Sequence, residues 1–379
     1  SRLEPWESPI LPYRQIRFRQ HPSALKGKSL LKHYGSVLIA SRPAKGRDAL
    51  RHSVGDNFNG TMSEANSVGT PPLEAGKFCD PEITAKGEAR ATVRLDALKT
   101  LWFNTGTLCN LTCSNCYIES SPTNDSLVYL NHAEVAAYLD ELPIIGQHVE
   151  EIAFTGGEPF MNPEFPAMVA DAAGRGYRVL ILTNAMRPMM KRANALLEIK
   201  ERYGKRITIR VSLDHYLPAL HNLYRGKNAF DKALVGLRWL TQNGFNVCLA
   251  GRTFWQESET ALREGFARLC EREEIAVDAT DPARLILFPE LDETRDVPEI
   301  TEACWSVLNV DPSDMMCASS RMIVKRKGAM HPVVLPCTLL PYDPQFELGP
   351  NLAKAAQNVA LNHPNCAAFC VLGGGSCSG

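Results

Sequence analysis

The chain contains no apolar run of about 18 residues, so nothing in it reads as a membrane-spanning helix. It also lacks a charge bias. Its 41 Lys and Arg face 42 Asp and Glu, a formal net charge of -1, which removes any whole-protein electrostatic case for nucleic-acid binding. Acids are scarce at the N-terminus: residues 1–55 open without Met and hold 11 Lys or Arg against Glu4, Glu7 and Asp48. Such a segment suits an organelle transit peptide, a basic arm or a small substrate-contacting piece, with Tyr34 to Ala40 as a short strand. Residues 53–90, rich in Gly, Pro and polar side chains, read as a linker. What remains is an ordinary globular composition, 45% hydrophobic and 22% charged over 379 residues, enough for one large domain with appendages.

The 12 cysteines cluster in short spacings, which argues for metal binding rather than disulfides. The tightest group is Cys109, Cys113 and Cys116, in C-x3-C-x2-C order, on a loop after the apolar run Leu101 to Asn104. Three thiolates in one loop can address one inorganic centre. A closed zinc or iron–sulfur site wants four ligands, so a three-thiolate site leaves one position open. The loop reads as the holder of a [4Fe–4S] cluster with one iron free of protein. The plainer alternative is a structural zinc knuckle with a distant fourth ligand. Cys79 is isolated, and Cys248 and Cys270 fall in a strand and a helix, where they read as core thiols.

From about residue 96, β-rich runs near 101–104, 150–155, 178–183, 206–213, 245–250 and 284–289 alternate with helical patterns. The helices are expected from Asn131, which opens a capping box with Glu134, through Leu142, then over Phe165–Ala173, Met190–Tyr203, Phe230–Leu240 and Thr260–Arg272. Alternation at this spacing implies parallel βαβ units, an α/β fold. The cysteine loop followed by Gly156-Gly157-Glu158-Pro159 resembles the radical S-adenosylmethionine (SAM) superfamily. That resemblance implies a partial (β/α)6 TIM-like barrel with its chemistry at the C-terminal strand ends. It also implies that the free iron chelates SAM and that reduction cleaves SAM to a 5'-deoxyadenosyl radical. Gly156, Gly157, Glu158 and Pro159 would then receive the SAM amino group, with Glu158 as an acceptor. Thr183 and Asn184 face the top of the barrel. Ser212 and Asp214, two apart on one strand and so on one face, suit ribose hydroxyls or the carboxylate's surroundings. Arg225 either binds the SAM carboxylate or pairs with Asp214, and Arg252 offers a second guanidinium. Asn115 stands where the family often has an aromatic residue. Glu290 reads as a solvated loop carboxylate.

After about residue 300, β-rich runs on either side of Lys327-Gly328 form a hairpin with Cys317 and Cys337 at its two ends. Cys366, Cys370 and Cys377 follow, among glycines that let the chain wrap tightly. This tail resembles the SPASM/twitch extension of radical SAM enzymes. Five cysteines, or six with Cys304, imply one auxiliary [4Fe–4S] cluster; a zinc ribbon is the alternative for this unit. The expected division is an N-terminal extension at 1–95, a radical SAM partial barrel at 96–300 and an auxiliary-cluster domain at 301–379. The implied partners are a reductant such as flavodoxin or ferredoxin and a substrate, with no membrane and no nucleic acid. The substrate is a peptide or protein on the strength of the Ser-Leu-Asp, His-x3-Arg-Gly and Phe-x-Lys-Ala-Leu series (Ser212–Asp214, His221–Gly226, Phe230–Leu234), or a small molecule in cofactor or natural-product biosynthesis. A non-catalytic zinc or iron–sulfur scaffold is the remaining class. The expected location is the cytoplasm, or an organelle matrix if residues 1–55 are a transit peptide.

Overall fold

Among the described residues, ten strands and seven main helices build the fold. They are β1 (Thr92–Val93), β2 (Thr100–Asn104), α1 (His132–Ile144), β3 (Glu151–Thr155), α2 (Phe165–Gly174), β4 (Arg178–Thr183), α3 (Arg187–Met190), α4 (Ala193–Tyr203), β5 (Ile207–Ser212), α5 (Pro218–Arg225), α6 (Ala229–Gln242), β6 (Asn246–Arg252), α7 (Glu259–Arg272), β7 (Leu285–Phe288), β8 (Ser320–Val324), β9 (Val333–Leu335) and β10 (Val359–Ala360). The computed structural model describes residues 71–253 and 255–375. The expectations placed on residues 1–70 and on Cys377 lie outside that range. Among the described residues no helix is long and apolar enough to cross a membrane.

One eight-stranded sheet runs β7-β6-β5-β4-β3-β2-β8-β9. All six anticipated strands are present, and β2 to β7 pair in parallel in chain order. The two ends, β7 and β9, do not meet, so this is an open, partial barrel. The strands are apolar on both faces because both are covered, as a parallel sheet requires. Alternation divides them. On the outer face Leu101, Phe103, Ile152, Phe154, Val179 and Ile181 pack with Val135, Leu139, Met168 and Val169 of the helices. Phe103 stacks on Phe154 with ring centroids 5.6 Å apart, and Phe154 meets Phe165 edge-on at 5.4 Å. On the inner face Trp102, Ala153, Leu180, Met322 and Leu335 form a separate cluster. The register Trp102↔Ala153↔Leu180, with Trp102↔Met322 on the other side, stacks them in one layer. Each fully buried large apolar side chain contributes about 1.5–3 kcal/mol.

The capping box opens α1 as expected: Asn131 accepts from the Glu134 N–H, and the Glu134 carboxylate accepts from the Asn131 N–H. Three features depart from expectation. The helix expected over Met190–Tyr203 is two helices, α3 and α4, broken at Lys191 and Arg192. Residues 71–90 are not a linker. Leu73 donates to the Thr294 carbonyl, Asp296 to that of Pro71, and the Arg90 guanidinium meets the Glu299 carboxylate at 2.5 Å with both side chains nearly solvent-free. Just beyond, β1 pairs with β10. The tail does not stand apart either. The hairpin β8–β9 forms, with Ile323 opposite Val334, but β8 also pairs in parallel with β2 and extends the barrel sheet.

Candidate functional site

The C-terminal ends of β2 to β7 surround one cavity of about 170 Å³. Its lining includes all three loop cysteines and Gly156, Gly157, Pro159, Thr183, Asn184, Ser212, Asp214, Arg225 and Arg252. The structure thus brings the sequence-predicted groups together, Glu158 excepted.

The cysteine loop is held by the glycine turn and by α5. Gly157 donates to the Gly106 carbonyl at 2.7 Å, and Glu158 to that of Leu108 at 3.1 Å. The last turn of α5 leaves carbonyls without helical partners, and that of Tyr224 accepts the Ser114 N–H at 3.0 Å. The sulfurs receive donors too: Leu111 N–H to Cys109 and Ser120 N–H to Cys116, both 3.4 Å, and Asn184 Nδ2 to Cys109 at 3.9 Å. Burial pushes the Cys109 thiol up to about 12, and it also raises Cys113, against the opposing pull of Arg225. A metal centre must therefore displace these protons to bind.

The glycine turn packs against the cysteine loop. Gly156 has φ +141, and a Cβ there would lie 2.6 Å from the Gly106 oxygen; a Cβ at Gly157 would lie 2.2 Å from the Leu108 oxygen. The close approach is to the cysteine loop's own backbone. Glu158 does not present its carboxylate to the cavity. It is buried, and its two oxygens accept from the Thr183 hydroxyl at 2.8 Å, the Asn184 N–H at 2.8 Å and the Phe160 N–H at 3.3 Å. These donors engage both carboxylate oxygens. Burial outweighs them and lifts Glu158 to about 7.

Arg225 makes the second of its two anticipated contacts. Its Nε and Nη2 donate to the two oxygens of Asp214, both at 2.8 Å, with Arg252 3.7 Å away. Burial pushes the Asp214 carboxyl up, but the two guanidinium groups outweigh it and hold it below the usual range. The Asp214 N–H donates to His221 Nδ1 at 3.2 Å, which fixes the turn after β5.

Sequence reasoning passed over Arg210, which lines the cavity and is almost fully buried. The signal was available: Arg210, Ser212 and Asp214 are spaced two apart and share the inward face. Asn115 Nδ2 and Ser120 Oγ also line the cavity, buried and without a hydrogen-bond partner. Such atoms are costly unless a ligand or water satisfies them.

In the tail, Cys317, Cys337 and Cys366 are buried near one another. Burial raises the Cys366 thiol, and the neighbouring Cys337 and Cys317 raise it further. Cys366 and Cys370 lie on one π-helical turn, Cys366–Val371, a conformation frequent at functional sites. Cys304 instead contacts Thr301. Beside Cys317 lies Arg321, a fully buried cation with no carboxylate partner among the described residues. It donates to the carbonyls of Ala355 at 2.8 Å, Cys317 at 2.6 Å and Ser320 at 2.7 Å. Burial pulls Arg321 down to about 10, while Cys317 and Cys337 oppose the fall. Among the described residues no three His, Cys, Asp or Glu side chains are placed to hold a single metal ion. Thiolates of a four-iron cluster bind separate irons and need not converge on one point.

Residues 103–257 match the family model of the Radical SAM superfamily. Fe-coproporphyrin III synthase of Methanosarcina barkeri is 34% identical over 142 residues, 37% of this chain and 33% of that protein. The antilisterial bacteriocin subtilosin biosynthesis protein AlbA of Bacillus subtilis is 28% identical over 147 residues, 38% of this chain and 31% of that protein. The chain spans about a third of the length of these curated relatives. Among solved structures, Streptococcus suis SuiB bound to S-adenosylmethionine is similar with a TM-score of 0.50 at 14% identity, over 67% of this chain and 63% of that one. That likeness bears on fold alone.

Proposed function

From the match of residues 103–257 to the Radical SAM superfamily model, we propose that the chain is a radical SAM enzyme acting on a peptide or protein, with one auxiliary [4Fe–4S] cluster in its tail. The observation that carries the reading is the single cavity shared by Cys109, Cys113, Cys116 and the strand-end residues. The donor set fits a cluster: three thiolates with N–H groups aimed at sulfur, two guanidinium groups nearby to offset negative charge, and one ligand too few for closure. Bound there, a [4Fe–4S] cluster with one free iron supplies the electron that cleaves SAM homolytically to the 5'-deoxyadenosyl radical.

The chain's own part is to hold and orient. Gly156, Gly157 and Pro159 bring backbone to the cavity wall, where carbonyls can accept from the SAM ammonium. Glu158 braces Thr183 and Asn184 rather than binding directly. Ser212 and Arg252 offer a hydroxyl and a cation to ribose and carboxylate, and Asp214 locks Arg225 in place. Asn115 and Ser120 have unsatisfied polar atoms to give a ligand. Phe288, Leu291, Leu339 and Phe369 line the cavity and limit water.

For the auxiliary cluster we assign Cys317, Cys337, Cys366 and Cys370, with Cys377 as the further candidate. Its support is Arg321: a buried charge without an anion is expensive, and an anionic cluster beside Cys317 and Cys337 supplies one. A flavodoxin or ferredoxin is the fitting reductant, since the cleavage needs an external electron. The sequence series from Ser212 to Leu234 supports a peptide substrate. The similarity to a coproporphyrin-processing enzyme supports the second reading, a small-molecule substrate.

Anaerobic reconstitution tests the proposal. The chain should bind about 8 irons, as two four-iron clusters. Cys337→Ala should lose about half of them and still cleave SAM. About four irons with stoichiometric zinc would overturn the auxiliary assignment, and absence of SAM cleavage would overturn the activity.

A further inference from the structure

A second depression, of about 1080 Å³, borders the cysteine loop on its other side. Leu111 is the shared wall, since it lines both this depression and the candidate active-site cavity. Four cations line it: Arg187 of α3, Lys191 and Arg192 at the break before α4, and Lys232 of α6. Arg187, Lys191 and Lys232 are exposed and Arg192 is half-buried. Among the described residues no carboxylate lines it. Asp231, beside Lys232, is exposed in the first turn of α6 but does not line the depression. Arginines on nearby elements behave differently: Arg175, Arg178, Arg238 and Arg263 each reach a carboxylate. Four like charges on one face, without internal compensation, make a surface of positive potential.

Its position gives that potential a use. Asn110, next to Cys109 in the chain, lines the depression. Its side chain accepts from Asn184 Nδ2 at 3.0 Å and donates toward Met186 Sδ at 3.8 Å. Asn110 and Leu111, the two residues that follow Cys109, thus form part of the basic face. The face is open and its lysines are exposed, so it does not enclose a small anion. Charge spread over an open face suits a second surface of opposite sign, where it raises the encounter rate more than the lifetime of the complex. Short-lived redox encounters use contacts of this limited kind.

We propose that this face docks an acidic one-electron carrier protein, and that the electron enters through the cysteine loop at Asn110 and Leu111. The proposal rests on the radical SAM reading above. In the step, the carrier's reduced centre loses one electron and a cluster held by Cys109, Cys113 and Cys116 gains it; no proton or group moves.

The test uses a purified acidic flavodoxin as probe and the reconstituted full chain. Binding of oxidised flavodoxin is measured by calorimetry across a salt series. The wild type should bind more weakly as salt rises, because screening shortens to about 10 Å at 0.1 M. The triple variant Arg187→Glu, Lys191→Glu, Lys232→Glu should bind at least tenfold more weakly, and reduced flavodoxin should reduce its cluster at least tenfold more slowly. Dithionite-driven 5'-deoxyadenosine formation should be unchanged. Lys227→Glu, an exposed charge outside the lining, should match the wild type. Unchanged affinity and reduction rate in the triple variant would overturn the proposal. So would loss of binding to an RNA oligonucleotide with flavodoxin binding intact, which would assign the face to nucleic acid. If dithionite yields no 5'-deoxyadenosine in the wild type, the radical SAM reading fails instead, and the binding arm still decides whether the face docks the carrier.

Discussion

Gly157→Ala tests how the cysteine loop is seated. The new methyl carbon would lie 2.2 Å from the Leu108 oxygen, 2.6 Å from the Leu108 carbonyl carbon and 2.7 Å from the Thr107 oxygen. Carbon and oxygen approach no closer than roughly 3.3 Å, so something must move by about 1 Å. All three obstructing atoms are backbone, so no side-chain rotation gives relief. The same backbone is tied to the turn by the bonds to Gly106 and Leu108 at 2.7 and 3.1 Å. Overpacking of this kind costs about 1–3 kcal/mol. Because Leu108 precedes Cys109, the strain lands on a residue proposed as a cluster ligand. A misplacement of about 1 Å can cost roughly 100-fold in rate. Iron content, melting temperature and 5'-deoxyadenosine yield should therefore all fall, the last by roughly that factor. Gly176→Ala is the control. Its φ is +101 with open space around it, so it should cost stability alone and leave the iron in place. Full iron and wild-type cleavage in Gly157→Ala would refute the seating argument.

Arg321→Met strands the Ala355, Cys317 and Ser320 carbonyls in the interior, at about 1–3 kcal/mol each; it should lose the tail's share of iron while SAM cleavage persists, and a full iron count would contradict the role given to Arg321. Arg90→Met leaves Glu299 buried without its cation, which should cost about 3–5 kcal/mol in chemical denaturation; an unchanged midpoint would mean that the 71–90 segment does not hold the fold. Burial, with Arg225 next, pulls His221 down from 6.5 to about 4. Between those values the unfolded chain binds a proton that the folded one refuses, so this contribution is complete above about pH 6.5 and is lost as pH falls toward 4. It is worth about 3 kcal/mol at most. His221→Gln should flatten the acid limb of a stability–pH curve, and an identical limb would exclude His221 as its source.

Local sequence carried the parts of this account that are local in space. The cysteine spacing, the Asn131–Glu134 box and the strand-end motifs each lie within a few residues, and alternation placed all six barrel strands. What escaped depends on residues far apart in the chain. Arg90 and Glu299 are 209 positions apart, so the 71–90 stretch looked like a linker although its polar groups are paired across that gap. The parallel pairing of β8 with β2 has the same origin: a hairpin is visible in sequence, but the edge to which it adds is not. The surroundings of Glu158 escaped in the same way. A carboxylate in a glycine-rich turn looks free until Thr183 and Asn184 arrive from the next strand and donate to it. Arg210 was legible by period but was overlooked because its neighbours Ser212 and Asp214 already had a role.

The central claim is that the loop at 109–116 holds a SAM-cleaving cluster. Its most direct test is the yield of 5'-deoxyadenosine from anaerobically reconstituted, dithionite-reduced protein given SAM, with Cys113→Ala in parallel. The account predicts product from the wild type and none from the variant, with the variant still folded because Cys113 lies in a loop rather than in the packed core. Product from Cys113→Ala at the wild-type level, or none from a fully iron-loaded wild type, would contradict it.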